Sequence, residues 1–194
     1  MARTRGSKQE QLIQAARSLF FKHGLKRVTI EEICRTADVS KVTFYKKFRD
    51  KTELVRAVLN QIATDRLAGF TSAMNLEAPF PERMRRLVEM RLAQADEVNR
   101  DFLREIYVHA PPELHEFIHQ KTREALATAM DYYIQAQKDG AIRADVKPEF
   151  ISWFLNHVVD MMGDERLVAQ YDSSRELAAE VINFFLYGIL ARKE

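Results

Sequence analysis

The chain has 194 residues, 46% hydrophobic and 30% charged, with 6 Gly and 5 Pro, a make-up that excludes fibrous and disordered classes. No run of about 18 apolar residues is present to span a membrane, and the polar start "MARTRGSKQEQLIQAARSLF" lacks the apolar core of an export signal. Cys34, the only cysteine, reads as a small buried apolar residue and suits a reducing, cytoplasmic compartment.

The net charge of +2 hides an asymmetry. Residues 1–56 hold 14 Lys and Arg against 6 Asp and Glu, a balance of +8, while the remainder holds 16 against 22, or −6. A basic first quarter on an acidic remainder predicts a polyanion-binding head joined to a body with another task.

Periodicity predicts helix almost throughout. Leu12, Ala15, Ala16, Leu19 and Phe20 make one apolar stripe, and Gly24 stops that helix. Thr29 with Glu32 has the capping-box spacing and opens a second helix, with Ile30, Ile33, Cys34 and Ala37 on its buried side. The turn "ADVS" follows, and Ser40 caps a short third helix. Asp50 and Glu53 open a long fourth helix to about Ala73, whose Leu54, Val58 and Ile62 face the first three. "LEAPFPER" breaks it, and Pro81 starts a fifth through Ala95. Further helices are expected at about Asn99 to Val108, from "APPEL" to Lys138, from Pro148 to Met162, and from Ser173 to Ala191. No segment alternates apolar and polar residues for long, so the fold class is all-α with about nine helices.

The second and third helices and their tight turn, about residues 29–48, match a helix-turn-helix, whose second helix lies in a DNA major groove. Val39, Val42 and Phe48 are expected to hold the third helix to its scaffold. Lys41, Thr43 and Phe44 lie near its N-terminus, toward base edges, with Tyr45, Lys46 and Lys47 placed for phosphates and for bases further along. An ordinary lysine-rich solvated face is the competing reading of "SKVTFYKKF" alone.

The run "AARSLFFKHG" followed by "TIEEICRTADVSKVTFYKKFRDKTELVRAVL" resembles the DNA-binding head of the TetR family of transcriptional regulators. The matching positions are Ala15, Ala16, Phe20, Gly24, Thr29, Ile33, Ala37, Val39, Ser40, Thr43, Tyr45, Phe48, Lys51 and Leu54. Asp38 departs from the usual Gly but tolerates a left-handed turn, and Val42 and Phe44 stand where Gly and Leu or Ile are frequent. The resemblance implies that Thr29, Ser40, Tyr45 and Lys51 touch phosphates and that Lys41, Val42, Thr43 and Lys46 face bases of a double-stranded operator. Arg3 and Arg5 form an arm suited to a minor groove or to a plain tail.

The division expected is a helix-turn-helix head over 1–56 and a helical regulatory and dimerisation body over 57–194. The last two helices are apolar on more than one side, which predicts a homodimer through Trp153, Phe154, Val158, Met161, Val181, Phe184 and Phe185. The family resemblance implies a small-molecule effector pocket among the middle helices, with Met90, Phe102, Tyr107, His109, Met130, Tyr133 and His157 as candidates, each with the spacing of ordinary core packing as well.

"HEFIH", His115 to His119, matches the zinc-protease pattern H-E-x-x-H with Glu116 as general base. It lacks the extended Gly-x-x-His continuation and a nearby third ligand, so no catalytic residue, metal or cofactor is assigned. The reading is a regulator of transcription, a repressor released by an effector, with activation or effector-free action as alternatives and a metal-dependent hydrolase as a remote one.

Overall fold

The computed structural model describes residues 6–95 and 98–191, so Arg3 and Arg5 lie outside the described residues. Among the described residues there are ten helices and no strand: α1 (Lys8–His23), α2 (Ile30–Ala37), α3 (Lys41–Lys47), α4 (Lys51–Met74), α5 (Phe80–Ala95), α6 (Arg100–Tyr107), α7 (Pro112–Lys138), α8 (Pro148–Gly163), α9 (Glu165–Val168) and α10 (Ser174–Ile189). The all-α reading holds. The helix beyond the expected nine is α9, a single turn whose first backbone amides donate to Asp164. The last helix ends short of Ala191, because Leu190 forms an antiparallel bridge with Ile142 and Ala191 N–H donates to Ala141 O.

Local signals set most boundaries. Ser7 with Glu10 and Thr29 with Glu32 form complete capping boxes, each side chain bonding the other residue's backbone N–H. Ser40 and Asp50 accept from the amides of Thr43 and Glu53. Between α2 and α3 the chain reverses at Asp38, which is left-handed (φ 54°), and Val39 N–H returns to Cys34 O at 2.9 Å. Val39 is then buried and Ser40 exposed at the start of α3.

Two apolar cores result. The first gathers Leu12, Phe20, Ile33, Phe44, Phe48 and Leu54 from the N-terminal helices, together with Phe102 and Ile106 of α6 and Leu114 of α7. The second gathers Phe70, Met74, Phe80, Met84, Tyr133, Ile151 and Phe185. Helix α4 threads both: Leu54, Val55, Val58 and Ile62 belong to the first, Phe70, Ala73 and Met74 to the second.

Two outcomes follow from these local features. Asp38→Val forces a β-branched side chain into the left-handed turn and should cost about 1–2 kcal/mol, read as a lowered urea midpoint at unchanged slope. Hydrogen bonds from Thr29 hold the Glu32 carboxyl below the usual range, and the amide of Glu53, with Arg49, does the same for Asp50. The folded chain therefore binds these protons less readily than the unfolded one. Their contribution is full above about pH 5 and is lost as pH falls through the lowered folded values, so the midpoint of unfolding should drop on acidification and should drop less in Glu32→Gln.

Candidate nucleic-acid interface

Helix α3 divides into two faces at the spacing of one turn. Phe44 (0% exposed) and Phe48 (3%) point into the first core, where their rings lie 5.8 Å apart. Lys41, Val42, Tyr45 and Lys46 point outward, with Val42 66% and Tyr45 59% exposed. This corrects the expected scaffold set: Val42 does not hold α3, and Phe44 does not approach a ligand. Phe44 is one turn before Phe48, so a single stripe can be buried, and Val42 falls off it. Tyr45 packs edge-on against Phe44 with centroids 5.2 Å apart, which steers its ring while leaving its hydroxyl in solvent.

Around this face, Ser40 and Thr29 are exposed at the starts of α3 and α2. Thr43 is half-buried and its hydroxyl sits 2.9 Å from that of Ser40. Lys41 pairs with Glu31 at 3.0 Å, both side chains being more than half exposed, so the ammonium can be drawn to a stronger anion at little cost. Lys46 and Lys47 are exposed. Lys51 differs: its ammonium donates to Leu25 O and lies 6.0 Å above the Phe20 ring, and burial lowers its pKa against the attraction of Glu105 and Glu32. It braces the loop after α1 from inside the head.

That loop and the last turn of α1 are also held from the body, by contacts no sequence spacing announces. Glu105 of α6 accepts from the amides of Leu25 and Lys26, Asn99 N–H donates to Phe21 O at 2.9 Å, and Asn99 Nδ2 donates to Lys22 O at 3.2 Å. Gly24 (φ 78°) lies against this carboxylate, and a Cβ there would come within 2.9 Å of Glu105 Oε2.

The seven effector-pocket candidates do not converge. Phe102 fills the first core edge-on to Phe21, and Tyr107 packs against that core. Met90, Met130 and Tyr133 belong to the second, where burial raises the Tyr133 pKa to about 12. His109 lies 4.0 Å from Glu165, and His157 is exposed, stacked on Trp153 at 4.1 Å. Two cores had to be filled, and aromatic residues at helical spacing filled them.

The dimerisation candidates divide more favourably. Trp153 is 57% and Phe184 72% exposed; Phe154, Val158, Met161 and Val181 are half-buried. Phe185 is the exception, buried in the second core against Tyr133 and Phe154. Phe150, stacked on Trp153 with centroids 6.3 Å apart, and Tyr187 are 58% and 85% exposed on the same two helices. Their i, i+3 spacing from Trp153 and Phe184 was the available signal.

In the H-E-x-x-H segment, Glu116 pairs with Arg123 at 2.7 Å and His119 with Asp160 at 3.4 Å, while His115 Nε2 is buried without a partner. Among the described residues, no group of three His, Cys, Asp or Glu is placed to hold a metal.

Residues 12–58, which begin and end on the buried Leu12 and Val58, match the family described as "Bacterial regulatory proteins, tetR family". The chain is 38% identical over 63 residues to the HTH-type transcriptional regulator TtgR of Pseudomonas putida, 31% of this chain but only 30% of that regulator's length. It is 26% identical over 152 residues, 74% of each chain, to an uncharacterized HTH-type transcriptional regulator of Mycobacterium bovis. Among solved structures it is similar to reduced NemR of E. coli (TM-score 0.74, 15% identity, 97% of this chain and 100% of that one). The fatty acid degradation regulator FadR of Bacillus halodurans also shares the fold (TM-score 0.70, 17% identity, 95% and 97% covered). Residues 12–58 thus match the head of the tetR family of bacterial regulatory proteins in sequence, and the whole chain shares the fold of these solved regulators.

Proposed function

We propose that the chain is a cytoplasmic, dimeric, sequence-specific DNA-binding regulator of transcription, a repressor relieved by a small-molecule effector rather than an enzyme. One observation carries this: a short capped helix in the basic head buries Phe44 and Phe48 and turns Lys41, Val42, Tyr45 and Lys46 outward as a single face. Set in a major groove, that face offers two ammonium groups, a phenol and an apolar side chain, enough for both phosphate contact and base readout. Thr29 and Ser40 flank it at helix starts, where free backbone amides favour phosphate, and Thr43 lies between them and the bases. Lys51 supports the face by bracing the loop at Leu25.

The labour is divided between a head over 1–56 and a body over 57–194, with α4 common to both. A second copy covers the patch of Phe150, Trp153, Phe184 and Tyr187 on α8 and α10, and pairing sets two α3 helices on successive groove faces, ~34–36 Å apart or somewhat more. An operator so occupied is closed to polymerase. No helix is long and apolar enough to cross a membrane among the described residues.

Two measurements test this. With a duplex from the chain's own promoter region, Tyr45→Ala and Lys46→Ala should each weaken binding about tenfold, and Lys46→Ala should also reduce the salt slope by about one per head. Unchanged affinity in both variants counts against the interface. Trp153→Asp combined with Phe184→Asp should convert the dimer to a folded monomer by light scattering and lower operator affinity; a persistent dimer rules out this patch as the interface.

A further inference from the structure

A cleft of about 570 Å³ opens between α6, α9 and the start of α10. Leu103, Val108, Val168, Ala169, Leu177 and Tyr171 line it, and its polar lining is two arginines, Arg100 and Arg104, with Ser173 and the carboxylates of Asp101 and Glu165. Its size is in the range of small-molecule sites, and its apolar lining is aliphatic apart from Tyr171. None of the effector candidates suggested by the sequence lines it.

The polar edge is occupied by the chain itself. Arg104 directs both Nε (3.1 Å) and a terminal nitrogen (2.8 Å) at one oxygen of Glu165, although a guanidinium fork is best matched by two. Both partners are more than half exposed, so the pair is weak and exchanges readily. Arg100 reaches across the cleft to the backbone carbonyls of Val168 and Tyr171. The arrangement is a carboxylate on an arginine at the mouth of an aliphatic hollow.

We infer that this cleft receives a compact aliphatic carboxylate, which takes the place of Glu165 on Arg104 and lays its apolar tail along Leu103, Val168 and Leu177. The position of α6 gives such binding a consequence. At 100° per residue, Asp101, Phe102, Glu105 and Ile106 lie on one side of the helix and Arg100, Leu103 and Arg104 on the other. Phe102 and Ile106 enter the head core and Glu105 holds the amides of Leu25 and Lys26, while Arg100, Leu103 and Arg104 line the cleft together with Asp101, at the border of the two sides. A ligand seated on one side therefore bears on the helix that holds the head by the other. This consequence rests on the DNA-binding reading; the binding itself does not.

The test is calorimetric titration of the full chain with hexanoate, with hexan-1-ol and hexylamine as controls. Saturable binding of one hexanoate per chain is expected, with neither control competing. Arg104→Gln should bind it about tenfold more weakly, because a charge-assisted fork is lost. Glu165→Gln should bind it about threefold more tightly, because an exposed competitor is removed. Equal affinity in all three proteins, absence of saturable heat, or equal binding of hexan-1-ol overturns the site. In parallel, anisotropy of a labelled duplex from the chain's own promoter region is followed as hexanoate is added. Release at the calorimetric midpoint supports the regulatory role, and retention at saturation overturns it. Failure of the ligand-free protein to hold any duplex is a failure of the DNA-binding reading and leaves the calorimetric result standing.

Discussion

The burial of Phe44 is the contact on which the head depends. A helix of seven residues has too few internal hydrogen bonds to persist in water, and α3 exists because its one apolar stripe is driven into the core built by α1 and α2. Once Phe44 is inside, helical geometry leaves no freedom: the residues off that stripe must face outward, and these are Lys41, Val42, Tyr45 and Lys46. Orientation of the basic face is thus a by-product of packing. The left-handed Asp38 sets where the helix begins, and Phe44 sets which way it is turned.

The head is not free to move as a separate bead. Its core continues into Phe102, Ile106 and Leu114; the loop after α1 is gripped on both sides, by Lys51 from α4 and by Glu105 from α6, and Asn99 at the start of α6 holds the last turn of α1. Grips of this kind combine charge with backbone hydrogen bonds, which makes them directional where apolar packing is not. A change in the placement of α6 must therefore move the loop or break those bonds. The acidic body and basic head are joined mechanically as well as covalently, through two helices that each belong to two environments.

Much of this was legible beforehand, and for a physical reason. Helix caps at Thr29, Ser40 and Asp50, the stop at Gly24 and the stripe from Leu12 to Phe20 are local in sequence, and local hydrogen bonding and 3.6-residue periodicity act over the same few residues. Where two apolar residues competed for one small buried stripe, as Val42 and Phe44 did, the pattern alone did not decide; ring volume and the partner Phe48 did. The effector candidates show the same limit of local spacing. Aromatic and Met residues at core spacing were drawn into two cores, and the cleft beside α6 is lined by residues of α6, α9 and the start of α10 that are far apart in the chain. Nothing in local spacing brings Arg104 to Glu165.

The division between the two sources of order is therefore by range. Composition, charge distribution, caps and periodicity by themselves determined an all-helical chain with a basic head, a turn of the helix-turn-helix kind and apolar terminal helices, because each of these depends on neighbours within a turn or two. Only tertiary packing decided that Phe44 faces in and Val42 out, that Phe185 is core while Phe184 is surface, that Lys51 is spent on Leu25, and that one face of α6 holds the head while the other lines a cleft. Those outcomes depend on which distant helix lies opposite, a quantity that a linear pattern does not contain.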